Sequence, residues 1–598
     1  MSSAPSIAPP LVPVRRINFD AWLQRLMLIV ILLAMGIFIL APLGVMAVHS
    51  VTDDQGSFVG LGNFASYFSD RRLLTSLWNT FLLGLFSMLI AVALAFPYAY
   101  AVTCARTPLR KIFLLLSMLP LYAPTMLYAL GLETLFDRNG VLTTGFYDRI
   151  PFHFSADTYV HNLPGMIFAE VMATFPPAVL VLVVALSHRD KRLYDAAESM
   201  GASPFRVFYS ITLPGCKFAL ISAASIAFVL STTDLGAPEM LNSRTNVLAL
   251  DLYSTMLGIG QKNAQAIGAV ISLVLLIPTV IASFLEMTMR RRQAAGLTAR
   301  SVPMVADRNL LRDWLLFGYC GIVSGILLLV TTAPVLLSLV TQWPYSLHLK
   351  TKAYTPPSPA FTLHNYNFDL IGAGTGGGMD AYWDSLIVAV LTAFFGTIFC
   401  FVTAYLVEKT SVFAQVRKLI RSVAIIPLGL PGMVLGISFV MIFNPLHWGP
   451  FPNPLAGIYG TITIIIICNV VHYLGVSYLA ATTALTQLDG EFEQVAASMN
   501  VPAWRLFFRV TLPICLPAII EISMYYFVSA MTTVSAIIFL WTATTPIASV
   551  AIVNLRDANL KPAAAMAVLI LLSNIAVRAA VEPLQRYCRN RTQRWRAA

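Results

Sequence analysis

Residues 185–214 read ALSHRDKRLYDAAESMGASPFRVFYSITLP, and residues 484–513 read ALTQLDGEFEQVAASMNVPAWRLFFRVTLP. The offset is 299 residues in a chain of 598, without a gap, and 11 of the 30 positions are identical. A repeat at half the chain length means two copies of one structural unit, which constrains the fold before any local element is assigned. Each copy is a polar loop between strongly apolar segments, which marks it as a candidate docking surface.

The surrounding composition sets the class. The chain is 58% hydrophobic and 11% charged, with mean hydropathy +0.75, whereas a soluble domain carries about 25% charged residues. Many apolar stretches approach the ~20 residues that cross a bilayer. Spans are predicted near 26–48, 79–103, 112–136, 165–186, 216–234 and 264–288, and again near 316–340, 384–407, 419–443, 458–482, 514–540 and 563–581. Lipid offers backbone groups no partners, and the runs are too long and evenly apolar for barrel strands. The expected fold is therefore an all-α integral membrane protein of about 12 transmembrane helices in two parallel six-helix repeats. The expected units are 1–288 and 314–598, joined by the basic, polar linker 289–313.

The units also match outside the loop. Trp78-Asn79-Thr80 aligns with Trp383-Asp384-Ser385, and Ala99-Tyr100-Ala101-Val102 with Ala404-Tyr405-Leu406-Val407. Pro120 and Pro124 align with Pro427 and Pro431. Further prolines within spans (Pro42, Pro97, Pro176, Pro177 and Pro278) suit kinks around a moving pathway or ordinary membrane packing.

The net charge of +11 does not point to nucleic acid, because the basic residues gather at alternate connections. Examples are Arg106, Arg110 and Lys111; Arg189, Lys191 and Arg192; Arg290 to Arg292; and Arg417, Lys418 and Arg421. Positive connections face the cytoplasm, so both termini, the linker and both repeated loops are expected inside. Arg71 and Arg72 run against the pattern but share their loop with Asp53, Asp54 and Asp70. The N-terminal segment does not read as a cleaved signal, and 26–48 is expected to remain as an anchor. The seven cysteines show no metal-ligand spacing and read as apolar fillers.

Within the loop, Asp190 and Asp489 suit helix N-caps. Leu193, Ala197 and Met200 fall on one helical face, as do Phe492, Ala496 and Met499. Gly201 suits the left-handed position after a helix end, and Asn500 is the next-best residue there. Ser203-Pro204 then suits the cap and first position of a second helix. The small-residue face could pack beneath its own bundle or enter a groove on a partner.

These residues resemble the EAA motif of permease subunits in binding-protein-dependent ABC importers. Asp195-Ala196-Ala197, Gly201 and Leu213-Pro214 follow that pattern with Asp for Glu, while Gln494-Val495-Ala496 and Asn500 depart further. The likeness spans roughly 75–290 and 380–585, and a fused pair of this length is similar to the 2-aminoethylphosphonate and iron(III) type permeases. Gly60-Leu61-Gly62-Asn63-Phe64 and Thr233-Asp234-Leu235-Gly236-Ala237-Pro238 add weaker support.

The resemblance implies a non-catalytic permease in the bacterial inner membrane. It would have two ATP-binding cassette subunits, a periplasmic or extracellular solute-binding protein, and no cofactor of its own, since its partners bind ATP. The implied ATPase-coupling residues are Asp195, Ala196, Ala197, Met200, Gly201, Gln494, Ala496, Met499 and Asn500. Gly374-Thr375-Gly376-Gly377-Gly378 lacks the lysine of a phosphate-binding loop and reads as a flexible turn. The cargo is expected to be 2-aminoethylphosphonate, with iron(III) second and a polyamine third.

Polar residues within spans are costly and mark pathways or interhelical contacts. Glu133, Glu170, Asp234, Glu239, Asn469, His472 and Glu521 are of this kind, and Glu170, Asn469, His472 and Glu521 are expected deepest. His472 has no second His or Cys at i+3 or i+4, which disfavours a metal site. Composition alone also allows a 12-span secondary transporter. An integral membrane enzyme is disfavoured by the lack of a clustered motif such as H-E-x-x-H.

Overall fold

The structure, a computed structural model, describes residues 19–138, 140–143, 154, 157–187, 189–241, 244–258, 263–296, 309–340, 361–368, 378–448, 451–488, 490–499 and 501–592. Among them, eight helices are long and apolar enough to cross a membrane, and four bent pairs bring the number to 12. Spans 1 to 6 are Phe19–Val51, Arg71–Cys104, the pair Arg110–Tyr122 and Thr125–Phe136, Leu163–Ser187, the pair Pro204–Gly215 and Lys217–Thr233, and Ala264–Met289. Spans 7 to 12 are Leu310–Ser338, Met379–Lys409, the pair Ala414–Gly429 and Gly432–Phe443, the pair Ile462–His472 and Leu474–Thr486, Ala503–Thr532, and Leu560–Arg591. The all-α reading holds, with one two-residue hairpin of His447–Trp448 against Phe451–Pro452 among the described residues.

Spans 3 and 9, expected as single crossing helices, are broken by 101° and 113°. The cause is the aligned proline pair. Pro120 and Pro427 open a short 3-10 turn in each copy. Ala123 and Leu430 each precede the second proline and are extended, at ψ 147° and 119°. A residue before proline is pushed out of the α region, so the chain turns there and restarts. Proline alone does not predict a bend, however. Span 4 carries Pro176 and Pro177 as one helix. Span 10 has no proline at its break yet bends by 54°. There Gly475 lets the backbone of Leu428 approach; a Cβ would sit 2.8 Å from its nitrogen. The stretch expected as a span to 540 also stops early, because the helix ends at Thr532 and turns follow.

Matching side chains close both units at equivalent places. The Asn63 amide donates to the carbonyls of Ser50 and Thr52 at the end of span 1, at 3.1 and 2.8 Å. Asn365 does the same for Ser338 and Val340 after span 7, at 2.9 and 3.0 Å. The Thr80 hydroxyl accepts from the Leu248 N–H at 2.8 Å, and the Ser385 hydroxyl from the Ala548 N–H at 2.7 Å. This explains why a hydroxyl recurs after Trp78 and Trp383.

The two units exchange their first helices. Span 1 packs on spans 6 and 9, with Phe38 stacked on Phe443 at 5.9 Å and the Ser438 hydroxyl donating to the Met46 sulfur at 3.3 Å. Span 7 packs on spans 2 and 3, with Tyr98 hydrogen-bonded to Ser324 at 2.9 Å and Phe113 against Phe317 at 5.5 Å. Gly131 permits this approach, since a Cβ there would lie 2.2 Å from the Val330 carbonyl oxygen. Within the linker, residues 297–308 lie outside the described residues.

Candidate functional site

The first repeated loop builds as its sequence predicts. Asp190 caps the helix Lys191–Ser199 by accepting from the Arg192 N–H at 3.1 Å. Gly201 takes φ +73°, the left-handed conformation that lets the chain turn. Its neighbour closes the helix end, with the Ala202 N–H donating to the Ala197 carbonyl at 3.0 Å. The Ser203 hydroxyl then accepts from the Arg206 N–H at 3.4 Å, and Pro204 opens the next helix. The expected single apolar face does not bury as a unit. Ala197 is buried, while Leu193 and Met200 are exposed. Met200 lies just past the helix end, so the face is interrupted there. With Phe205 and Tyr209 also exposed, the loop presents large apolar side chains outward. Asp195 and Ala196 are exposed, and Asp195 lies 4.0 Å from Lys191, one turn away.

The second loop keeps this plan with different fastenings. Its helix is Glu491–Ser498, and the Val501 N–H donates to the Ala496 carbonyl at 2.9 Å, matching the Ala202 bond. Ala496 is buried, and Phe492, Val495, Met499, Trp504 and Phe508 are exposed. Gln494 is exposed. Asn500 and Asp489 lie outside the described residues. In the first copy Arg189 donates to the Leu186 carbonyl at 2.9 Å and to the Tyr194 hydroxyl at 3.3 Å, and that hydroxyl pairs with Thr212 at 3.0 Å. The second copy has Glu493 where the first has Tyr194, and Glu493 pairs with Lys409 at 3.0 Å. Lys409, only 9% exposed, also donates to the Leu488 carbonyl at 3.1 Å.

A buried polar centre lies where the units meet. After span 5, Asp234 accepts from the Ala237 N–H at 2.8 Å and from the Thr125 hydroxyl at 3.1 Å, which ties the re-entrant helix Gly236–Met240 to the break in span 3. Glu170, buried in span 4, lies close to Asp234, and among the described residues its Oε1 has no hydrogen-bond partner. Asn469 occupies the equivalent place at the same 299-residue offset, fully buried and, among the described residues, with neither amide atom hydrogen-bonded. His472 lies beside Gly432, where a Cβ would sit 3.3 Å from its Nε2. The turns after span 11 approach span 9 more closely still; a Cβ on Gly436 would lie 2.5 Å from the Ala536 carbonyl oxygen. The two re-entrant segments touch, the Leu235 N–H donating to the Ser535 hydroxyl at 3.4 Å.

Glu521 does not join this centre. It is exposed, paired with Arg578 at 3.3 Å and accepting from Gln585 at 2.7 Å. Its position midway along an apolar run suggested depth, but the register of span 12 brings Arg578 and Gln585 alongside it. Glu239 lies on the re-entrant helix itself.

A second ionic group, which sequence reading left unassembled, forms beside Glu133. This residue is buried in span 3 and faces Arg556 of the other unit at 3.9 Å. Nearby, Asp137 pairs with His161 Nε2 at 3.1 Å, and His161 Nδ1 meets the Leu241 carbonyl at 2.6 Å. The Asp137 hydrogen bond leads in pushing the His161 pKa up to about 9. Glu133, Asp137 and His161 offer ligand atoms within 4.8 Å of one another, the spacing a metal ion would need. Arg556 faces Glu133 across the two units, while His161 pairs with Asp137 within the first, so a polar contact between units lies beside a paired histidine.

The family model for binding-protein-dependent transport system inner membrane components matches residues 98–293 and 396–589, once in each unit. A putative ferric transport system permease protein of Haemophilus influenzae is 27% identical over 481 residues, 76% of this chain and 68% of that protein. A ferric transport system permease protein of Actinobacillus pleuropneumoniae is 27% identical over 490 residues, 77% of this chain and 64% of that protein. The chain thus spans about two thirds of the length of these relatives. A putative 2-aminoethylphosphonate transport system permease protein of Salmonella typhi is 24% identical over 241 residues, 38% of this chain and 79% of that protein.

Proposed function

We propose, from the premise that this chain belongs to the family of binding-protein-dependent transport system inner membrane components, that it forms the whole translocation pathway of an ABC importer. Its two units take the places of two permease subunits. The observation that carries this reading is the pair of repeated loops. Each has a capped or closed helix, a turn and a re-entering span, and each presents exposed apolar side chains at a polar end of the bundle. Each loop seats one ATP-binding cassette subunit, with both loops and both termini in the cytoplasm. A solute-binding protein delivers cargo to the opposite face, and ATP stays with the partners, so the chain itself is non-catalytic and needs no cofactor. Closure of the ATPases parts the re-entrant segments that meet at Leu235 and Ser535. Glu170, Asn469 and His472 then line the opened centre, and Glu521 braces span 11 against span 12.

Iron(III) is the cargo this reading favours over the phosphonate expected from sequence. The ferric relatives align over about three quarters of the chain, whereas the phosphonate relative aligns over 38%. Carboxylates in the first unit's centre, Glu170 and Asp234, also suit a hard cation. Proteoliposomes holding this chain, its ATPase subunits and its binding protein should accumulate labelled iron(III) on ATP addition. Uptake of labelled 2-aminoethylphosphonate instead would select the second reading. ATP-independent uptake of either would return the chain to the secondary transporters.

A further inference from the structure

We propose that Asp20, at the start of span 1, is the helix cap of the second repeated loop, so that the N-terminal helix sets that loop's position on its ATPase subunit. The second clause rests on the loops being ATPase seats; the first does not. The helix Ala503–Thr532 begins with backbone N–H groups that have no partner within the helix. In the first copy the preceding residue, Ser203, supplies the capping oxygen. In the second copy that position is Pro502, which has no side-chain acceptor. The first copy has Pro204, which lacks an N–H, where the second has Ala503, and this additional N–H is capped from 483 residues away: Asp20 Oδ2 accepts from it at 2.8 Å. A carboxylate also suits the positive end of a helix.

Neighbouring contacts hold this arrangement. Gln24 donates to the same Asp20 oxygen at 3.5 Å. The Tyr405 hydroxyl donates to the Ala503 carbonyl at 3.3 Å, and its ring packs on Phe507 at 4.7 Å. Further along span 1, Arg25 lies over the Phe413 ring at 5.2 Å, beside the connection between spans 8 and 9. Span 1 is the helix exchanged between the units, so a tilt of that helix acts directly on the start of span 11. The first loop carries its own cap.

The test uses the full chain with its ATPase subunits and binding protein in nanodiscs. It reads hydrogen exchange of the peptide 501–509 and the ATPase rate stimulated by loaded binding protein. Asp20→Ala should speed exchange about fivefold, the order expected for a lost cap, and lower stimulated hydrolysis several-fold. Asp20→Asn keeps an acceptor and should hold exchange within about twofold. Adding Ala503→Pro to Asp20→Ala removes the N–H that needs the acceptor, as Pro204 does in the first copy, and should restore slow exchange, while hydrolysis stays low because the tie to span 1 is still cut. Unchanged exchange in Asp20→Ala, or no recovery in the double variant, overturns the cap. Exchange that rises and recovers while hydrolysis stays constant keeps the cap and overturns its link to the ATPase, separating this proposal from the reading of the loops as seats.

Discussion

The two repeated loops share a backbone plan and differ in what fastens it. In the first, the fastening is local and built from hydroxyls and backbone: Ser203 caps its own helix, and Arg189, Tyr194 and Thr212 close a short hydrogen-bonded chain. In the second, it is ionic and long-range: Lys409 reaches Glu493 from span 8, and Asp20 reaches Ala503 from span 1. Duplication inside one polypeptide lets each copy keep its turn while drawing support from different neighbours. Both loops pack an aromatic ring on the bundle, Phe208 on Phe96 and Tyr100 and Phe507 on Phe401 and Tyr405, but the polar fastening of the first is local and that of the second reaches to spans 1 and 8.

The sharpest way to break this comparison is to cut each fastening at its equivalent position. Glu493→Ala leaves the nearly buried Lys409 ammonium with the Leu488 carbonyl as its one partner among the described residues. Removing one partner of a buried pair costs several kcal/mol, and this partly exposed pair is expected to lose about 2 kcal/mol. Tyr194→Phe removes a neutral hydroxyl from a polar chain and is expected to lose about 1 kcal/mol. Thermal melts of the two purified variants check this, and equal losses would remove the distinction between ionic and local fastening.

A smaller effect is expected on the other asymmetry, the polar contact and paired histidine beside Glu133. The corresponding positions of the repeat hold Val440 and Met256, so only one of the two equivalent places carries it. The His161 pKa, pushed up to about 9 in the folded chain, lies above its ordinary value of 6.5. Its contribution is therefore fully present below pH 6.5 and is lost as pH rises through 9. With solvent screening, the loss should be of order 1–2 kcal/mol. Melting temperature should fall between pH 6.5 and 9.5, and His161→Gln should flatten that slope. A slope unchanged by the substitution would assign the effect elsewhere.

The smallest effect concerns the exposed residues Asp195 and Gln494, which the proposed function sets against an ATPase subunit. Asp195 can offer a charge to a basic residue of an ATPase, whereas Gln494 can only hydrogen-bond, and charge-assisted bonds are roughly twice as strong. Asp195→Ala should reduce ATPase co-purification more than Gln494→Ala does. Within the chain itself the cost is small, about 0.3–0.5 kcal/mol for an i,i+4 pair. Equal retention of the ATPase by both variants would sink the charge argument.

Much of this was legible along the chain. The capped helix at Asp190, the left-handed turn at Gly201 and the cap at Ser203 all follow from residue types with narrow backbone preferences. The aligned proline pairs located the breaks in spans 3 and 9, although a kink was expected where the chain turns by more than 100°. Glu170 and Asn469 stood out as polar residues deep within spans, and both are buried. Less legible were features fixed by contact. Pro176 and Pro177 leave span 4 unbroken, while Gly475 marks a bend because Leu428 presses on it. Glu521 looked deep and lies exposed, because Arg578 and Gln585 belong to a helix whose register no local pattern reveals.

The membrane class, the duplication and the local build of the first loop are written along the chain, since hydropathy, internal identity and backbone preference are readable without knowing how the helices pack. The tertiary structure decided the exchange of spans 1 and 7 between units, the contact of the re-entrant segments, and the fastening of the second loop by Asp20 and Lys409. Those features join residues tens to hundreds of positions apart. Which buried donor finds which acceptor is settled by helix packing, and the periodicity of any one helix carries no record of it.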